Sequence, residues 1–256
     1  MSVWRPSPHC LYVVGDIEGR YPQLELLLAR MLPLRRTGGA SDTLVFLGDY
    51  LGAFPQGDKV VDRLMGVSAH PPARVVCLRG AQEETLLELL DEKSRTLYAE
   101  WLVKLGGSGI VKSYLTRKGL TTNPFEITID RLSSLVPEEH VTFFRSLPYY
   151  WADGTYIFAH AGCDPTVPLD RQPASTFTSD GGLMDVALQG GTWPATVVVG
   201  HHGPRPPFMS RQLMMLDASG EDAVLVAELN SMEAFLSRPR TSRLLRVDLT
   251  ESKWLK

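Results

Sequence analysis

The 256-residue sequence predicts an α/β (α+β) fold of layered sheets flanked by helices, and two patterns predict it. Short runs of β-branched and apolar residues end abruptly in a polar or charged residue, and helical patterns separate the first three of them. Later strand patterns follow one another as hairpins, which argues for a layered sandwich over a single parallel sheet. No low-complexity segment, internal repeat or long Gly/Ser linker divides the chain, so residues 1–256 read as one domain.

The runs are LYVVGD (11–16), LVFLGD (44–49), VVCLRG (75–80), YIFAHAG (156–162) and TVVVGHH (196–202). Continuous apolar runs of about five residues suit strands buried on both faces. Between the early runs, Tyr21 to Leu32 sets apolar residues on a broad helical face, with Pro22 tolerated in a first turn. Gly57 to Met65 is a shorter helix candidate. Glu83 to Leu105 reads as one long or broken amphipathic helix, stopped by Gly106-Gly107. Further helices are expected around 109–118 and 135–146. RQLMMLD (211–217) and AVLVAEL (223–229) flank Ser219-Gly220-Glu221-Asp222 in the manner of a hairpin turn, and Arg243 to Leu249 is one more strand.

Bulk properties narrow the function. A net charge of -3 gives no global positive field to draw nucleic acid or anionic lipid. The most basic stretch, Arg238 to Arg246, reads as a solvated surface strand. Three cysteines, Cys10, Cys77 and Cys163, make no disulfide framework and no C-x-x-C pair, which fits a reducing compartment. The apolar run before Asp16 is too short for a signal-peptide core, and no stretch approaches the roughly 18 apolar residues of a membrane helix. The chain is therefore expected to be cytoplasmic, with neither a nucleic-acid nor a membrane partner.

In α/β sheets, ligands bind where loops leave the carboxyl ends of strands. The five runs deliver Asp16, Asp49, Arg79, His160 and His201 to such positions. An isolated Asp after a strand is ordinarily a turn former, and an isolated buried His a hydrogen-bonded core residue. Five in the same register point to one shared site.

These residues carry a resemblance. The ordered motifs GD-x-x-G (15–19), GDYLG (48–52), LRGAQE (78–83), HAG (160–162) and GH (200–201) resemble those of the calcineurin-like metallophosphoesterases. More closely, they are similar to the phosphoprotein phosphatase branch and its bacterial diadenosine-tetraphosphatase relatives. WLVKLGGSGIVKSYL (101–115) and HAGCDPTVPLDRQ (160–172) extend the likeness, which covers roughly residues 10 to 230. The resemblance implies a four-layer β-sandwich flanked by helices and a two-metal site for phosphate-ester hydrolysis. Asp16, Asp49, His160 and His201 match its metal ligands, with Asp49 bridging, an anionic role. Arg79 matches an arginine that clamps substrate phosphate.

Several positions depart from the family's pattern. Glu18 stands in place of a ligand His, Ala81 in place of a ligand Asn, and Gln82 in place of the catalytic His. Gly52 and Ala53 replace an Asp-Arg pair, and TFTSDGGLMD (176–185) lacks an expected arginine. Glu18 can still ligate, and three carboxylates would favour Mg²⁺, Mn²⁺ or Ca²⁺. Manganese or magnesium is expected, one ion rather than two, with a metal-free protein as the alternative. Without the general acid and its orienting partner, turnover should fall by about 10²- to 10⁴-fold. Glu83, Glu84 and His202 lie near in sequence but read as surface or cap residues. The sequence thus points to a catalytically impaired pseudophosphatase that binds a phosphorylated ligand or protein partner. The alternative is an active phosphoesterase with a rebuilt centre, working on anhydrides or other activated phosphates.

Overall fold

The computed structural model describes residues 10–31, 42–69, 74–179, 192–201, 208–209, 212–217, 223–229, 232–239 and 245–248. The strands are β1 (Leu11–Val14), β2 (Thr43–Phe46), β3 (Arg74–Cys77), β4 (Tyr150–Ala152), β5 (Tyr156–Ala159), β6 (Thr196–Val199), β7 (Phe208–Met209), β8 (Leu213–Met215), β9 (Val224–Glu228), β10 (Glu233–Ser237) and β11 (Leu245–Asp248). The α-helices are α1 (Tyr21–Met31), α2 (Gly57–Ala69), α3 (Ala81–Glu92), α4 (Arg95–Lys104), α5 (Gly107–Arg117), α6 (Ile129–Leu135), α7 (Glu138–Ser146) and α8 (Ala174–Thr178). They form a six-stranded sheet, ordered β11-β10-β9-β1-β2-β3, and a five-stranded sheet, ordered β4-β5-β6-β8-β7.

The continuous apolar runs explain the layering, because successive side chains of a strand point to opposite faces. Val13, Val45, Phe158 and Val198 meet in one buried cluster between the sheets. Val14, Leu44 and Phe46 turn the other way, into the cluster shared with α1 to α7. Ile157, Ala159, Val197 and Val199 face outward from the second sheet, where Phe177 of α8 and Trp193 cover them. Each run therefore buries both faces, and the result is four layers: helices, sheet, sheet and an outer cover.

Three expectations are refined. The segment 83–105 is broken: Lys93 turns left-handed at φ 53°, and Ser94 caps α4 by accepting from the Leu97 N–H at 3.4 Å. The segment 135–146 belongs to two helices, α6 and α7, divided at Val136-Pro137, since Pro bars its predecessor from helical geometry. The expected hairpin of 211–217 with 223–229 is not formed. Strand β8 pairs parallel with β6, and β9 lies in the other sheet between β1 and β10. Both runs are buried on both faces, so each takes an interior place in its own sheet rather than a partner in a two-stranded ribbon. The turn residues 219–222 lie outside the described residues, as does most of the Arg238 to Arg246 stretch. Among the described residues no helix is long and apolar enough to cross a membrane.

The helical layer contains a buried polar relay. His140, fully buried on α7, takes its Nδ1 to the Tyr114 hydroxyl at 3.0 Å and its Nε2 to Asp62 at 3.0 Å. Burial outweighs the Asp62 carboxylate and lowers the imidazole pKa. The unfolded chain then takes up the proton first, so this group's contribution to stability is whole above about pH 6.5 and is lost as pH falls below it. We predict that His140→Gln reduces the loss of thermal stability between pH 7.5 and pH 5.5 relative to wild type. Equal losses in both proteins would refute the assignment.

Candidate metal centre

Strands β1, β2 and β3 are mutually parallel, as are β5, β6 and β8. Their carboxyl ends meet at one edge of the sandwich, where Asp16, Asp49, His160, His201 and Asp217 follow β1, β2, β5, β6 and β8. Loops from the two sheets are stitched together there. The His201 N–H donates to Asp16 Oδ2 at 3.1 Å, and Asp49 O accepts from the N–H groups of Ile17 and Glu18 at 3.1 and 2.7 Å. Gly200 permits the approach, since a Cβ there would lie 2.1 Å from Asp16 Oδ1.

Asp49, His160 and His201 present ligand atoms that all lie within 4.8 Å of one another. His160 Nε2 is 3.3 Å from Asp49 Oδ1 and 3.0 Å from His201 Nδ1. Donors held about 2.0–2.2 Å from one ion lie roughly 3–3.5 Å apart, and the two separations from His160 Nε2 fall in that range. His160 Nδ1 lies 3.1 Å from the Leu47 carbonyl, which can only accept. The Nδ1 hydrogen is thereby fixed, leaving the Nε2 lone pair facing the trio, the usual outer support of a ligating imidazole. The close pair of ring nitrogens is then satisfied by one proton or by one shared cation. This donor set fits a divalent metal.

Carboxylates crowd the same hollow of about 310 Å³, which is lined by Asp16, Glu18, Asp49, Gln82, Lys104 and Asp217 among others. Burial, and then Asp217, Asp49 and Glu18, push Asp16 well above the usual carboxylate range. Asp49 is pushed up by burial and by Glu83, against the Gln82 N–H that donates to its Oδ1 at 2.8 Å. Backbone strain converges here too. Glu18, Asp49 and His201 all adopt positive φ, at 50°, 49° and 58°. Non-glycine residues tolerate that region at a cost of about 1–3 kcal/mol, and such residues cluster at functional sites. Asp217 was not singled out in the sequence. Its signal was present, because LMMLD (213–217) ends in a carboxylate as the first two runs do.

The other residues named from sequence take different places. Arg79 does not line the hollow. Its guanidinium donates to Glu84 at 3.0 Å, to the Tyr149 hydroxyl at 2.8 Å and to the Arg145 carbonyl at 2.8 Å, and it stacks over the Tyr149 ring. Those acceptors on α3, α7 and the chain before β4 hold it within the structure. Glu84 is its partner. Glu83 is fully buried and accepts four backbone N–H groups, those of Asp49, Tyr50, Leu51 and Gly80, at 2.9 to 3.1 Å. It fixes the Asp49 loop against the start of α3. Burial pushes its carboxyl up to about 7 even with those donors in place. His202 and residues 180–185 lie outside the described residues.

Two departures from the motif pattern, Glu18 and Gly52, touch one another, and a third, Gln82, bridges two helices. Gln82 receives the Trp101 indole N–H at 3.1 Å and donates to the Leu105 carbonyl at 2.6 Å, tying α3 to the end of α4. At Gly52 a Cβ would lie 2.6 Å from Glu18 Cβ and 2.8 Å from Glu18 Cα, so Glu18 fills the space that a side chain at 52 needs. Glu18 in turn pairs with Arg20 at 2.9 Å. A larger groove of about 670 Å³, lined by Gln23, Phe54, Lys59 and Lys112 among others, contains none of the strand-end residues.

Two stability measurements test this account. Glu83→Gln should cost about 3 kcal/mol or more in urea unfolding, since an amide cannot accept all four buried donors; a loss under 1 kcal/mol would contradict the clamp. Gly52→Ala should destabilise by about 1–3 kcal/mol through overpacking, and Glu18→Gly in the same chain should relieve part of it. Strict additivity of the two changes would show that the residues are not in conflict.

No protein-family profile matches the chain, and no curated protein matches it. Solved structures do. A candidate diadenosine tetraphosphatase superposes with a TM-score of 0.57 at 20% identity, covering 95% of each chain. A cold-active protein-tyrosine phosphatase of a psychrophilic Shewanella species gives a TM-score of 0.58 at 14% identity, over 96% of this chain and 83% of the other. A protein serine/threonine phosphatase from Saccharomyces cerevisiae gives 0.50 at 13% identity, over 93% and 79%. These likenesses show that the chain shares the fold of these phosphatase structures.

Proposed function

We propose that this protein is a degenerate metallophosphoesterase, a pseudophosphatase that holds a divalent cation and binds a phosphorylated ligand or protein partner with little or no turnover. One observation carries the reading. The Asp49, His160 and His201 trio is spaced for a cation, while the neighbouring acid position is Gln82, whose amide is committed at both ends to Trp101 and Leu105. An amide supplies no proton at neutral pH. The orienting position, Gly52, has no room for a side chain beside Glu18.

When bound, a divalent cation supplies Lewis-acid polarisation of a phosphoryl oxygen. The chain's own residues then bear on what can follow. Asp16, Glu18 and Asp217 add carboxylate oxygen beside Asp49, so magnesium or manganese suits the hollow better than a softer ion. Departure of an alkoxide needs a proton that neither Gln82 nor Gly52 can give, and alkyl phosphate monoesters should suffer most. A second reading, an active enzyme for anhydrides or aryl phosphates, is favoured by the cation trio itself, because good leaving groups depend less on an acid.

Equilibrium dialysis against Mn²⁺ should give about one ion per chain in wild type and none in Asp49→Asn. With that ion bound, hydrolysis of p-nitrophenyl phosphate and of dinucleoside tetraphosphates should be negligible. Metal-dependent turnover of either compound that Asp49→Asn abolishes would overturn the pseudophosphatase reading in favour of the second, and a protein that takes up no Mn²⁺ would defeat both.

A further inference from the structure

The hollow is strongly anionic, yet a phosphorylated ligand needs positive charge in addition to any cation held by the strand-end residues. Arg79 is occupied elsewhere, and position 53 is an alanine. Among the described residues that line the hollow, the one lysine or arginine is Lys104, in the last turn of α4.

Three features make Lys104 more than a surface lysine. Its ammonium is paired only with Glu100 among the contacts of its own helix, at 3.4 Å across one turn, with both side chains more than half exposed. Such an exposed i,i+4 pair is worth a few tenths of a kcal/mol and yields readily to a stronger anion. The wall that carries it is rigid: Gln82 grips the Leu105 carbonyl and Trp101, so the residue that stands in the acid's place anchors the lysine's helix end to the metal-side loop. Finally, Lys104, Leu105 and Gly106 line the same hollow as Asp49 and His201 of the cation trio, so an anion in it shares the space with both the trio and the lysine.

We propose that Lys104 is a phosphate-binding residue of the hollow, a point charge that takes the part of the missing arginines. The proposal rests on the reading of the hollow as a cation-assisted phosphate site. A lysine is suited to this because it engages phosphate as a flexible charge and needs no fixed fork geometry.

Isothermal titration of inorganic phosphate into the Mn²⁺-loaded protein tests it, with Mn²⁺ affinity measured separately on the same samples. Lys104→Met should weaken phosphate binding about 10-fold, the scale of one charge-assisted hydrogen bond. It should leave Mn²⁺ affinity and melting temperature unchanged, and Lys104→Arg should bind phosphate within about 3-fold of wild type. Three outcomes would overturn the proposal. Phosphate binding by Lys104→Met equal to wild type would remove Lys104 alone and leave the cation-site reading intact. Equal weakening in Lys104→Met and Lys104→Arg, with a lowered melting temperature, would show a packing role. Wild-type protein that binds Mn²⁺ but no phosphate would remove the lysine's role and the phosphate ligand together.

Discussion

Carboxylates buried around one small hollow repel each other and lose hydration, and that cost is relieved by taking up protons or by positive charge placed among them. The whole edge of this sandwich is organised around the constraint. Parallel strands from two sheets end side by side, so Asp16, Asp49 and Asp217 arrive from three separate strands with Glu18 beside them. Burial and the neighbouring carboxylates push Asp16 and Asp49 well above the usual carboxylate range. The same groups are the natural lining of a cation site, and the surrounding hydrogen bonds hold Glu18, Asp49 and His201 there at strained φ angles.

Rigidity comes from groups that do not themselves face the ligand. Glu83 gathers four backbone N–H groups from two loops, and the Leu47 carbonyl orients His160. Removing such supports would leave the ligands present but unaimed, which is how metal affinity is ordinarily lost through outer-shell changes.

Two of the replaced positions meet, and a third ties two helices together. Glu18 lies against Gly52, and Gln82 binds Trp101 and Leu105 beside Gly106. The Cα and Cβ of Glu18 stand where a Cβ at 52 would lie, and the bonds of Gln82 tie α3 to the end of α4 beside the hollow. Because one fold hosts many functions, the likeness to known phosphatases speaks to the scaffold, and the site's own chemistry speaks to what it does.

Much of this was legible in the sequence. Apolar runs buried on both faces, each stopped by Asp, Arg or His, gave the strands and the edge at which their ends meet, because period and length fix strand identity locally. Helix breaks were placed less well: the pause at Lys93-Ser94 depends on a left-handed turn that an ordinary lysine does not announce. Which sheet each strand joins was not legible. The runs at 213–215 and 224–228 look like a hairpin, and only the burial of both faces of each, a property of the assembled layers, sends them to different sheets. Likewise Asp49, His160 and His201 were identifiable as strand-end residues, but tertiary structure alone decided that their donors lie at ligand spacing, that Arg79 is drawn away by Glu84, Tyr149 and Arg145, and that Glu83 is a buried clamp. Sequence determines which groups a strand can deliver; distances between groups more than thirty residues apart arise only when the sheets stack.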